Sequence, residues 1–379
     1  MQVSIRSSSI SFFLFSLFFA FIVHAEDFKV NDDADTTANA TPTIAASVNG
    51  KVVVCWESDI ISDHYMGMGE SEVRGRLFQS GSLPVEPDFQ VAKKNLLNQK
   101  PDAATDLTGN FVVAWTYWGI FDHQWVDAVS FDRNGNLSGT ILSEETQNNL
   151  SYADFPSICM DNDGNIVLAF VDYWSRVFIL RIDNEGNEVG GLIQVWDKGG
   201  DDREFVDLDI SCSNASGNFV VSWAMDKYYP DEKSEVYARL YNADGTPVGD
   251  TFSPFNGNAV TNLGSRIAVA MDPQDNFLIS WKDFRNGNAD IYAQGYKSDG
   301  TPIGGNFKVN DDTGSAGQTG PAVAGDGYGN FVFCWADGRN GNSDVFAQKM
   351  KIQGSRINPL GPNFRVNEDR GDAAQGSPD

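Results

Sequence analysis

GNFVFCWADGRNGNSDVFAQKM, residues 329–350, decides the fold. A run of β-formers climbs to Trp335, a polar turn carries Asn340-Gly341, and a second β-forming run follows. Asn-Gly is a strong hairpin signal, because a type I′ turn needs two successive residues at positive φ. One unit earlier, DNFLISWKDFRNGNADIYAQGY repeats the arrangement around Trp281. Working outward, the apolar run ending in an aromatic residue occurs six times, at Trp56, Trp115, Phe170, Trp223, Trp281 and Trp335. The intervals are 59, 55, 53, 58 and 54 residues, so one unit recurs about every 56 residues. A long period built only of strand and turn signals predicts an all-β chain, a β-propeller with four-stranded antiparallel blades.

Each unit offers four short runs: a small-residue strand of type PAVA, a strand ending in Trp, a strand of type DIYAQ and a strand of type FKVN. Small side chains suit an innermost strand, where blades converge. Asp-Gly-Thr-Pro at 244–247 and 299–302 makes the outer turn. The expected bounds are 1–25 for a signal peptide and 26–379 for the propeller, with repeats at about 27–87, 88–139, 140–191, 192–250, 251–305 and 306–361 and a partial seventh at 362–379. Val-Asn at 30–31, 309–310 and 366–367 is followed each time by a proline 11 residues after the Asn, at Pro42, Pro321 and Pro378. That spacing predicts six complete repeats plus a partial seventh, a seven-bladed ring truncated at its C-terminus. The alternative is a six-bladed ring with one spare strand.

The leader reads as secretory: Arg6 precedes the apolar stretch Ile10–Val23, and Ala25 offers a small residue before Glu26. No second apolar segment of spanning length follows, so the expected location is extracellular or at the cell surface, with no transmembrane segment after cleavage. Removing Arg6 with the leader takes the net charge from −25 to −26. That charge argues against nucleic acid and anionic membranes as partners, since both need basic patches. Cys55 and Cys334 take the same place in units one and six, and Cys159 and Cys212 fall in the preceding strand of units three and four. The second pair suits either a disulfide between neighbouring blades or two buried thiols.

The pattern GNFVVxWxDxRNGxxDIYAQxYxxDGTPIGxxFxVNDD resembles tandem propeller-type repeats in large secreted bacterial proteins. The resemblance is close over 236–369, fair over 27–58 and 88–139, and weak over 140–235. It implies secretion and a scaffold. Many such proteins also carry a C-terminal sorting domain, which is not seen here.

The expected function is therefore a non-enzymatic scaffold or binding module for a glycan or protein ligand. The alternative is a carbohydrate-active enzyme, a hydrolase or lyase. The aromatic residues Tyr117, Trp118, Trp125, Tyr173, Trp174, Tyr228 and Tyr229 follow the second strand in three adjacent units and form the candidate ligand surface. Core packing beneath loops is the plainer reading of them. Asp161, Asp163, Asp183 and Glu185 are the candidate calcium ligands, dense in oxygen but lacking the bidentate Glu of a full calcium loop. As turn residues they need no metal, and no other cofactor is expected. The repeated Asp283-x-Arg285…Asp290 and Asp337-x-Arg339…Asp344 read as structural pairs. Sialidase-type chemistry is disfavoured because the inner strands carry only Arg266. His64 and His123 lie in loops with no nucleophile elbow nearby.

Overall fold

The computed structural model describes residues 30, 39–60, 70–79, 87–93, 98–118, 124–142, 153–197, 204–227, 233–256, 261, 264, 266–326, 328–367 and 378. The leader, both histidines, Tyr228 and Tyr229 lie outside these residues. Among the described residues no helix is long and apolar enough to cross a membrane.

Among the described residues six antiparallel sheets follow one another along the chain. The first comprises β1 (Asn39–Ala46), β2 (Lys51–Ile60), β3 (Glu70–Gln79) and β4 (Phe89–Lys93). The second comprises β5 (Asn98–Thr105), β6 (Phe111–Trp118), β7 (Gln124–Phe131) and β8 (Leu137–Leu142). The third has β9 (Asp154–Met160), β10 (Ile166–Val171), β11 (Val177–Ile182) and β12 (Ile193–Trp196). The fourth has β13 (Glu204–Cys212), β14 (Phe219–Lys227), β15 (Lys233–Tyr241) and β16 (Pro247–Phe252). The fifth has β17 (Ile267–Met271), β18 (Phe277–Asp283), β19 (Asp290–Tyr296) and β20 (Pro302–Lys308). The sixth has β21 (Gln318–Gly325), β22 (Asn330–Asp337), β23 (Asp344–Gln353) and β24 (Arg356–Pro359), with β25 (Phe364–Arg365) pairing farther along β23.

These sheets are propeller blades, each a meander of four neighbouring strands. The chain divides into two compact units, one made of residues 1–166, 170–173 and 182–188 and the other of 167–169, 174–181 and 189–379.

Burial explains the sequence pattern within a blade. Most second strands are covered on both faces, as in β10, buried throughout, whereas β22 leaves Val332 exposed. Among third strands β15 (KSEVYARLY) alternates, burying every second residue, whereas β19 is buried throughout. Fourth strands such as β16 are largely exposed and polar. Trp56, Trp115, Trp223, Trp281 and Trp335 all sit on second strands and are at most 3% exposed, as their spacing predicts. In the first unit Trp115 packs with Val53, Cys55, Phe111 and Val113, and in the second Trp335 packs with Leu278, Ile291 and Phe331. Val30, the described residue of the N-terminal DFKVNDD segment, is buried against Val52, Val54 and Trp56, and its carbonyl accepts from Arg76 Nη1 at 2.6 Å.

Of the cysteines, Cys159 and Cys212 are each disulfide-bonded, while Cys55 is a buried thiol. The reading of these two as buried thiols is therefore set aside for Cys159 and Cys212. Burial, and then the nearby Asp102 charge, push the Cys55 thiol far above its ordinary pKa.

Candidate functional site

The turns holding the candidate metal ligands come first. Asp161 Oδ1 accepts the backbone N–H groups of Asp163 and Asn165 at 2.9 Å, and its Oδ2 accepts Asn165 Nδ2 at 2.8 Å. Asp183 does the same with Glu185 and Asn187. Asp106, Asp132, Asp272 and Asp326 repeat the device. These carboxylates fold their own turns, and hydrogen bonds from Asn187 and Glu185 hold the Asp183 pKa down. Among the described residues no group of three acidic, His or Cys side chains is placed to hold a metal ion. Asp161, Asp163, Asp183 and Glu185 are thus turn-forming residues in this structure.

The Asp-x-Arg clusters are also structural. Arg285 pairs with Asp283 at 2.6 Å and lies 4.1 Å above the Tyr292 ring, and Arg339 pairs with Asp337 at 2.8 Å and lies 4.2 Å above Phe346.

The aromatic candidates separate. Tyr117 is buried in the core and stacks on Trp125, its cross-strand partner, at 5.9 Å between centroids. Trp118 ends β6, partly exposed. Tyr173 and Trp174 occupy the turn between β10 and β11 and are 71% and 56% exposed. The first set serves packing, and the second is open to solvent.

A further group, which the sequence reading did not single out, is assembled in the first unit at the ends of the innermost strands. Thr41 (φ 44°), Lys100 (φ 51°) and Phe155 (φ 52°) are left-handed, and each directly precedes a proline: Pro42, Pro101 and Pro156. Proline disfavours helical geometry in the residue before it, and a left-handed non-glycine residue costs about 1–3 kcal/mol. The β1 and β5 registers slip at these points, between Ala40 and Thr43 and between Gln99 and Asp102. Lys100 Nζ reaches Asp154 Oδ2 at 2.7 Å and lies 3.5 Å from the Phe155 ring centroid. Asp154 Oδ1 accepts from Thr116 Oγ1 at 2.8 Å and from the Phe155 N–H at 2.7 Å. On the other side, Glu57 accepts from Gln99 Nε2 and from Thr41 Oγ1, both at 3.2 Å.

The arrangement sets an ion pair, a second carboxylate, an amide and an aromatic ring on adjacent strand ends, with the Lys100 side chain 34% exposed. Such a set can hydrogen-bond a polyol. Two carboxylates are also what glycoside hydrolysis requires. The signal for this group was the X-Pro step at the start of three inner strands.

One position deeper, Asp102 shows the structural use of the same strands. Its carboxylate accepts from Thr43 Oγ1, Ser157 Oγ and the N–H groups of Ala103 and Ile158. Burial nevertheless raises its pKa, against these hydrogen bonds.

No family model matches the chain, and no curated protein matches it in sequence. Solved structures do. A protein of unknown function from Dyadobacter fermentans aligns at 12% identity and TM-score 0.52, over 89% of this chain and 95% of that one. The GH93 α-L-arabinofuranosidase of Fusarium graminearum, solved with arabinobiose, aligns at 10% identity and TM-score 0.53, over 83% and 93%. The likeness is one of fold: this chain is a β-propeller.

Proposed function

We propose that this protein is an exported, carbohydrate-directed β-propeller that binds glycan at the inner-strand ends of its first unit. The observation that carries the reading is the Lys100–Asp154 pair over Phe155, with Glu57 and Gln99 beside it, on backbone held in strained geometry. Strain of this kind at strand ends is a recurrent feature of binding sites. In the proposed complex Lys100 and Gln99 donate to sugar hydroxyls, Asp154 and Glu57 accept from them, and Phe155 offers an apolar edge. The leader and the absence of any basic excess support export and argue against polyanionic partners.

A second reading, glycosidic bond cleavage at the same place, is supported by the fold shared with an arabinofuranosidase and by the presence of two carboxylates. A glycan-array screen run beside an assay for released reducing ends tests both. Binding without release supports the module, and release that Glu57→Gln or Asp154→Asn abolishes supports the hydrolase. No binding to any glycan refutes both.

A further inference from the structure

Trp174 differs from the repeat tryptophans, which are buried at the blade interfaces: it is 56% exposed on a turn. Exposed indoles are ordinarily free to move. This one is pinned. The guanidinium of Arg176 lies 5.0 Å from the Trp174 ring centroid and 5.3 Å from that of Phe178. Phe178 is itself 7% exposed and belongs to β11, so the stack runs from the core outward to the indole. Ser175, between the two stacked residues, is left-handed at φ 59° and fixes the direction of the turn.

A large apolar surface kept in water and held in one orientation is suited to binding, because little conformational freedom remains to be lost when a ligand arrives. Aromatic anchors of this kind dominate contact energies. The ligand class follows from shape and charge. A flat, exposed indole matches the C–H face of a sugar ring. The chain's net charge of −25 repels polyanions over distances near the Debye length, which favours an uncharged sugar.

We propose that Trp174, pinned by Arg176 on Phe178, is a stacking platform for a ring of a neutral glycan. The proposal rests on the carbohydrate reading above and adds a second contact and a ligand class to it.

The test is affinity electrophoresis and titration calorimetry of the full chain against soluble neutral polysaccharides (arabinan, xylan, β-glucan) and against polygalacturonate. The comparison includes Trp174→Ala, Trp174→Tyr and Arg176→Ala, each checked for an unchanged urea midpoint. Wild type should bind a neutral polymer in preference to polygalacturonate. Trp174→Ala should weaken binding about tenfold, Trp174→Tyr should retain it, and Arg176→Ala should weaken it about threefold by releasing the indole. Binding that Lys100→Ala removes and Trp174→Ala leaves unchanged overturns the platform while the general reading stands. No binding to any polymer overturns both. A preference for polygalacturonate, or self-association that Trp174→Ala abolishes, also overturns the proposal.

Discussion

The indole Nε1 of Trp281 donates to Asp283 Oδ2 at 2.9 Å, two residues along the same strand, and Arg285 donates to that same oxygen at 2.6 Å. Trp335, Asp337 and Arg339 reproduce the arrangement at 2.8 Å for both contacts. A buried tryptophan must find an acceptor for its N–H, and here the repeat supplies one in a fixed place. Asp337 is fully buried, and truncating one member of such a network leaves the others unpaired. Asp337→Ala is expected to cost about 3 kcal/mol in urea unfolding of the second unit, and the more conservative Asp337→Asn about half that.

The same carboxylate sets an acid limit. Burial works to raise the Asp337 pKa, but hydrogen bonds from Arg339, Trp335 and Gln318 outweigh it and the net shift is downward. A depressed folded-state pKa contributes stability that is present above the unfolded value near 4 and is lost as pH falls through the folded value. The midpoint of urea unfolding should therefore fall below about pH 4, and less steeply in Asp337→Asn. Equal slopes in the two proteins would contradict the assignment.

Where the acceptor is missing, the indole is orphaned. Trp223 is followed two residues later by Met225, and its buried Nε1 has no partner; Trp56, followed by Ser58, is in the same position. Replacing Trp by Phe removes an N–H that is already unsatisfied at Trp223 but a bonded one at Trp281. Trp223→Phe should accordingly be about 1 kcal/mol less destabilising than Trp281→Phe, read as a difference in urea midpoint.

Asp207 behaves in the opposite sense. It lies on β13 beside Asp209 and Ser211, and these three side chains accept the N–H groups of Ile267, Val269 and Met271 on β17 at 2.9, 2.7 and 3.0 Å. Burial pushes its pKa up to about 6, against hydrogen bonds from Ile267 and Leu208 and the charge of Arg266. A raised acid pKa means that the folded state holds its proton longer than the unfolded one. The group thus subtracts stability as pH rises from about 4 to 6. Asp207→Asn keeps an acceptor for Ile267 without the charge, and should be more stable than wild type at pH 7 by about 1 kcal/mol and no more stable at pH 4.

The fold was legible because the repeat writes its packing into composition. The Trp strands carry a largely apolar, largely buried run up to the Trp. Asn286-Gly287 and Asn340-Gly341 do lie in the connections between second and third strands, but only the Gly of each pair has positive φ and each Gly closes its turn, so these are not the type I′ turns that the dipeptide suggests. The Asp-x-Arg pairs were readable as structure because two blades share them. The proposed site was less legible. Lys100 and Asp154 are far apart in sequence, as are Glu57 and Gln99, and they meet through strand-to-strand contacts that periodicity cannot show; only the prolines at 42, 101 and 156 mark the group. Tyr117 looked like a surface aromatic but its strand end is covered by Trp125, whereas Trp174 sits on a short turn and stays 56% exposed. The Asp-rich turns resembled metal loops since Asx turns and calcium loops use the same residues.

The central claim is a glycan site at the inner-strand ends, and calorimetric titration of the full chain with a bound neutral oligosaccharide, wild type against Lys100→Ala, tests it most directly. The Lys100–Asp154 pair is partly exposed, so its removal should change stability by less than about 1 kcal/mol. The account predicts a loss of affinity of at least about tenfold, with the urea midpoint almost unmoved. Equal affinity in the two proteins would contradict it.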